Sequence, residues 1–315
     1  MAAAGEGSRH GRPTNGRTAN RGERNGRARI GISGWRYSSW RGDFYPRGLR
    51  QRDELSYAAA RFGSIELNGS FYGLQRPERY VGWREATPDD FVFAVKGGRF
   101  ITHMRRLREP RQALANFFAS GVLALEHKLG PILWQLPADL SFDPDVLDAF
   151  CRELPMTTSA AARLARHHDE KLDGRAFTRA TTDRPMVHAM EVRNETYRSA
   201  DCYDILRSHG VVLVVSDGAD RWPMMRELTA DTVYVRLHGH TRLYESNYSA
   251  QALGSWARRI RGWTSGTAAP DGQPRNVYVY FDNDAHGYAP HNAQSLQSIV
   301  RRWSQKSTSS APGTR

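Results

Sequence analysis

The sequence predicts an α/β protein folded as a single (β/α)8 TIM-like barrel. Two positive observations point there. Eight short runs rich in β-branched and aromatic residues alternate with amphipathic stretches. The runs are apolar on both faces, as in parallel strands covered from both sides. A third observation removes the main alternative. An open dinucleotide-binding sheet carries G-x-G-x-x-G after its first strand, whereas the first turn here reads Gly34-Trp35-Arg36-Tyr37.

The strands are predicted over residues 29–35, 64–68, 91–96, 131–136, 186–193, 211–217, 232–238 and 276–282. Helical patterns fill the gaps. The stretch 53–62 follows Asp53 as a cap, and 77–85 opens on Pro77, a residue favoured in a first helical turn. Leu114, Phe117 and Phe118 share one side of 110–120, and Val146, Leu147, Phe150 and Leu154 recur at helical spacing in 144–154. Helices over 160–172, 202–209, 249–263 and 292–303 complete the set, with Gly210 placed to end the helix before it.

The chain of 315 residues has 45 Lys+Arg, 33 Asp+Glu and a formal charge of +12. Residues 1–29 contribute +5 and residues 301–315 contribute +4, leaving +3 for the body. The basicity therefore marks the ends and does not by itself identify a nucleic-acid enzyme. Residues 1–29 are Gly-, Arg- and Asn-rich, and 304–315 are similarly polar; both read as disordered tails around one domain at 30–303. No apolar run is long enough for a membrane span, and no secretory signal is visible. Two isolated cysteines, Cys151 and Cys202, make no disulfide scaffold, which fits a cytoplasmic setting.

In such barrels, chemistry gathers where the strands end. Side chains at i and i+2 share a face, so the strand ends deliver a polar set to one rim. Ser33 and Trp35 end the first strand, Glu66 and Asn68 the second, Lys96 the third and Gln135 the fourth. Glu191 and Arg193, Asp217, Arg236 and His238, and Asp282 follow on strands five to eight. Charges inside a barrel are costly unless paired. The set is therefore either a self-neutralising network or a polar pocket for a small charged ligand.

At these residues the sequence resembles the domain of unknown function 72 family, also called YecE-like. The resemblance rests on Ile-Gly-Ile-Ser-Gly-Trp at 30–35, Tyr-Ser-Ser-Trp at 37–40 and Gly-Asp-Phe-Tyr-Pro at 42–46. It continues with Glu-Leu-Asn-Gly-Ser-Phe-Tyr at 66–72, Lys96 with Thr102 and His103, and the block at 128–137. Glu-Val-Arg at 191–193, Tyr-Val-Arg-Leu-His-Gly at 234–239, and Phe-Asp-Asn-Asp at 281–284 with Asn292 and Ala293 close the series. The resemblance implies a TIM-like barrel and no settled activity. Two departures stand out. Ser70 replaces a threonine, and Asn194-Glu195-Thr196-Tyr197 replaces His-x-Ser-Trp, which removes a titrating group.

Three chemistries suit the rim. The first is an enzyme acting on a small anionic or sugar-like substrate. Glu66, Glu191, Asp217, His238 and Asp282 are its catalytic candidates, and Trp35, Asn68, Tyr72, Lys96, Gln135, Arg193 and Arg236 are its substrate contacts. The second is a metal-dependent hydrolase or isomerase, phosphodiesters included, with the same carboxylates and His238 around a divalent ion; the cationic neighbours weigh against it. The third is a non-enzymatic binding module, its basic head meeting nucleic acid, although a head without aromatics cannot stack on bases. A small-molecule ligand is favoured over nucleic acid at the basic head, the cofactor stays open with a divalent metal among the options, and no membrane partner is expected.

Overall fold

The computed structural model describes residues 25–309, with side chains as far as Trp303. The tail expectations for residues 1–24 and 310–315 fall outside the described residues.

The strands are β1 (Ala28–Ser33), β2 (Ser64–Leu67), β3 (Val92–Lys96), β4 (Leu129–Gln135), β5 (His188–Glu191), β6 (Val212–Leu213), β7 (Val215–Asp217), β8 (Thr232–Leu237) and β9 (Asn276–Phe281). All pair in parallel, in the order β6-β5-β4-β3-β2-β1-β9-β8-β7. The expected sixth strand is thus broken in two. Its first half pairs with β5 and its second with β8, so one chain segment joins both ends of the sheet into a barrel. The break falls at Val214, whose N–H still donates to the Met190 carbonyl at 2.9 Å.

Helices α1 (Glu54–Ala59), α2 (Gly69–Tyr72), α3 (Pro77–Glu85), α4 (Arg111–Ala119), α5 (Pro144–Glu153), α6 (Thr158–Ala165), α7 (Ala200–Ser208), α8 (Ala250–Ser265) and α9 (Tyr288–Ser309) fill the connections. None is long and apolar enough to cross a membrane, among the described residues. Several expectations need correction. Asp53 does not cap α1; its carboxylate accepts from Arg50 Nε at 2.7 Å. The stretch 160–172 divides into α6 and a short turn at Glu170–Leu172. Ala28 and Arg29 pair with Val277 and Tyr278, so the expected tail ends earlier, and α9 runs on to Ser309, past the expected domain end at 303. Cys151 and Cys202 are free and buried, and burial pushes both thiols up to about 12.

The barrel interior is layered. Ala94, Leu133, Ala189, Val214, Tyr234 and Tyr280 form an inner apolar cluster. Two residues further along the same strands stand Lys96, Gln135, Glu191, Ser216, Arg236 and Asp282. The period-two alternation of a strand explains the pairing. Each strand supplies filler to the lower layer and a polar group to the upper one. On the outer face of the sheet, Trp134 of β4 packs against Phe117 of α4 and Phe150 of α5.

Candidate functional site

The upper layer is organised around Arg236. Its guanidinium meets Glu66 through two bonds, Nη2 to Oε1 at 2.8 Å and Nε to Oε2 at 3.0 Å. Nη1 reaches Glu191 Oε2 at 2.7 Å, and Nη2 reaches Asp282 Oδ2 at 3.0 Å. Burial alone would lower the Arg236 pKa, but the carboxylates of Glu66, Glu191 and Asp282 outweigh it and hold the group charged. Glu66 also accepts from Ser33 Oγ at 2.6 Å and from Tyr234 Oη at 2.6 Å. Its four acceptor contacts satisfy a fully buried carboxylate.

Glu191 gathers the other side. It accepts from Arg193 Nη2 at 3.0 Å, from Ser216 Oγ at 2.9 Å and from His238 Nε2 at 3.2 Å. Burial opposes its ionisation, but Arg193 and Arg236 hold its pKa well below the usual carboxylate range. The Arg193 guanidinium lies 4.0 Å from the centre of the Trp222 ring, and Trp222 Nε1 donates to Ser216 Oγ at 2.9 Å. His238 Nδ1 lies 3.0 Å from Asp282 Oδ2 but out of line for a hydrogen bond, so the contact is electrostatic. Asp282 is likewise held low: burial raises its pKa, and Arg236 and His238 more than reverse that.

Above this ring opens a cavity of about 540 Å3. Lys96, Arg236, Asp282 and Tyr244 line its inner end; Gly34, Trp35, Tyr37, Asn68 and Trp83 line its walls. Arg36, Arg79 and Tyr72 stand exposed at its mouth. Gly34 turns the chain at the end of β1 with φ +78°, and a Cβ there would meet Tyr37 Oη at 2.9 Å. Tyr37 in turn donates to the Ser33 carbonyl at 2.7 Å, and Asn68 Nδ2 donates to Ser33 Oγ at 2.8 Å. Lys96 Nζ sits 4.1 Å from the Phe71 ring centre. Burial first, then Arg236, lower its pKa to about 8, against the pull of Glu66, Asp282 and Glu191. Ser70 Oγ donates to the Lys96 carbonyl at 2.6 Å, a bond that needs only the hydroxyl.

All but one of the sequence-predicted residues separate into three groups. Asp282, Trp35, Asn68, Tyr72, Lys96 and Arg236 line the cavity. Glu66, Glu191, His238 and Arg193 lie in the ring beneath and beside it, engaged with one another. Gln135 shares the inward face of β4 beside Glu191, but its Nε2 donates to the Leu136 carbonyl at 2.7 Å. Asp217 belongs to none of these groups. Ser216 pairs in register with Arg236 and takes the inward face, so Asp217 turns outward and accepts from Tyr248 Oη at 3.1 Å. Burial raises the Asp217 pKa. His240, two residues after His238, is also outside, over Tyr248. Asn194 serves the backbone locally, donating to the Ala138 carbonyl at 2.8 Å and accepting from Thr196 N at 3.1 Å.

The donor set does not suit a metal. The carboxylates that would have to converge on an ion converge on a guanidinium, and no group of three His, Cys, Asp or Glu among the described residues is arranged to hold one.

Sequence reasoning missed Ser216, Tyr234, Tyr244, Arg79 and Trp83 as site residues. Tyr234 was legible from its place two residues before Arg236. Arg79 and Trp83 stand at i, i+4 on α3 and so share a face. Tyr244 carries no local signal. It sits in the loop after β8 with φ +62°, held by its N–H to the His238 carbonyl.

Comparison with known proteins agrees with the architecture. The family described as "Protein of unknown function DUF72" matches residues 29–315. The chain is similar to the UPF0759 protein YecE of Escherichia coli K12, 29% identical over 287 residues that cover 87% of this chain and 92% of that one. It is similar to the UPF0759 protein YunF of Bacillus subtilis, 23% identical, covering 86% and 94%. Among solved structures, a DUF72 family protein from Thermotoga maritima superposes with a TM-score of 0.68 at 23% identity, covering 87% of this chain and 99% of that one. One from Enterococcus faecalis gives 0.64 at 17%, covering 87% and 95%. These structures support the fold alone.

Proposed function

Because the chain belongs to the DUF72 family, whose relatives' names assign no activity, we propose a function from its own chemistry: the rim cavity binds and transforms a small molecule that carries an anionic group on a ring- or sugar-like body. One observation carries this reading. Arg36, Arg79 and Lys96 face the cavity with no carboxylate within 4.0 Å of them among the described residues, and the single carboxylate in the lining, Asp282, is already held by Arg236. The cavity therefore presents unbalanced positive charge. Trp35, Trp83 and Tyr72 supply flat apolar surface for the body of the ligand. The volume is in the range of small-molecule sites.

The charge ring below acts as support. Glu66 and Glu191 fix the Arg236 fork, which fixes Asp282 as an ionised base at the inner end. Asp282 and Lys96 are the groups placed to exchange protons with a ligand. Glu66, Glu191 and His238 are positioning residues in this reading. A cytoplasmic setting accords with two buried, unoxidised thiols.

The test is calorimetric titration with a panel of small sugar phosphates and hydroxy acids, in low and high salt. Binding that weakens with salt, and by about tenfold in Arg79→Ala, is expected. Turnover of a bound compound, lost in Asp282→Asn, separates an enzyme from a binding module. Preference for neutral sugars, or binding indifferent to both Arg79 and salt, would overturn the anionic reading.

A further inference from the structure

We propose that Lys96 is a covalent catalyst, forming an imine with an aldehyde or ketone substrate that also carries an anionic group. This deepens the reading just given and rests on it. The geometry assigns the role. Lys96 ends β3 at the inner end of the cavity, where no carboxylate pairs with its amine among the described residues. A lysine kept only for charge would be expected beside an acid or in water. This one is packed against the Phe71 ring at 4.1 Å, and the Arg236 guanidinium lines the same cavity. Desolvation next to a second cation is the arrangement that frees a lysine amine for attack. The groups that act on it are Arg236 from β8, Glu66 from β2, Glu191 from β5 and Asp282 after β9; burial and Arg236 prevail, and its pKa falls to about 8. Arg36 and Arg79, further out, are left to hold the anionic group.

The step balances without an oxidant or metal. The amine lone pair forms the C–N bond while the carbonyl π pair moves to oxygen. A proton then passes through solvent from the new ammonium to that oxygen, giving the carbinolamine. A proton from solvent then lets the oxygen leave as water while the nitrogen lone pair closes the C=N bond. The resulting iminium withdraws electrons from the neighbouring carbon, which is the basis of carbon–carbon cleavage or proton transfer there.

The chain has four lysines, Lys96, Lys128, Lys171 and Lys306, which makes the test clean. The full chain is treated at pH 7.5 with glyoxylate, an aldehyde bearing a carboxylate, and with cyanoborohydride to reduce any imine to a stable secondary amine. Peptide mass analysis then gives the rate at each lysine. Lys96 is expected to react at least about tenfold faster than exposed Lys171, from its larger neutral fraction. Its rate should saturate with glyoxylate and fall in Arg79→Ala. Lys96→Arg keeps the charge but has no amine to condense, and should lose the fast label while labelling at Lys171 stays at its original rate. Reaction at Lys96 no faster than at Lys171, or without saturation, overturns the proposal. Should glyoxylate still bind in that case, the anion site survives and only covalent catalysis falls. Without binding either, both readings fall.

Discussion

Arg236 and Glu66 meet as a two-bond pair inside the barrel, at 2.8 and 3.0 Å, with both side chains essentially inaccessible to water. Burying such a pair gains little by itself, because desolvation offsets attraction. Breaking it is another matter.

Arg236→Met leaves Glu66 and Glu191 buried without their shared cation. Destabilisation on the order of 3–5 kcal/mol is expected, read as a loss of unfolding free energy in urea. Arg236→Lys should recover only part of it, since one ammonium cannot span two carboxylates as the guanidinium fork does. Full recovery by lysine would show that charge alone matters.

The orientation of the seventh strand makes a paired prediction. Ser216→Ala removes a donor to Glu191 and the acceptor of Trp222 Nε1, and should cost about 1–3 kcal/mol. Asp217→Asn lies outside the ring and should leave ligand affinity at its original value by calorimetry. A lost affinity in Asp217→Asn would place that residue back in the site.

Gly97 follows Lys96, and a Cβ there would fall 2.2 Å from the buried Trp134 ring. Trp134 has no room to move, with Phe117 and Phe150 against it. Gly97→Ala should therefore destabilise by about 1–3 kcal/mol through overpacking. An unchanged melting temperature would mean that the indole can shift.

His188 predicts an acid limb. It is fully buried, with Nε2 2.8 Å from the Pro155 carbonyl oxygen and Nδ1 accepting from Trp134 Nε1 at 3.1 Å. Burial lowers its pKa to about 4. An unfolded histidine takes its proton near about 6.5. Between these values the unfolded chain binds more protons, so stability falls as pH drops through that window. The loss attributable to His188 is at most about 3 kcal/mol. In His188→Gln the unfolding free energy should decline less between pH 6.5 and 4; identical decline would exclude this histidine as the cause.

The barrel was legible because its signals are local. Short β-branched runs separated by amphipathic stretches report strands and helices directly, and period-two alternation puts Glu66, Arg236 and Asp282 on the inward face of their strands. The family blocks, read in order, pointed to the same architecture. The sixth strand shows where this stops. Residues 211–217 look continuous, and only the closure of the sheet breaks them at Val214 and sends Ser216 inward in place of Asp217.

By itself, then, the sequence determined which segments are strands, and that acids and bases crowd the strand ends. Tertiary structure alone decided how those charges are used. Whether carboxylates face a metal, a ligand or one another depends on distances across the barrel, between residues as far apart in the chain as Glu66 and Arg236. Those distances put a guanidinium among the carboxylates. They left Lys96, Arg36 and Arg79 without acidic partners among the described residues, facing a cavity whose remaining wall comes from a helix face and a loop that local patterns do not place.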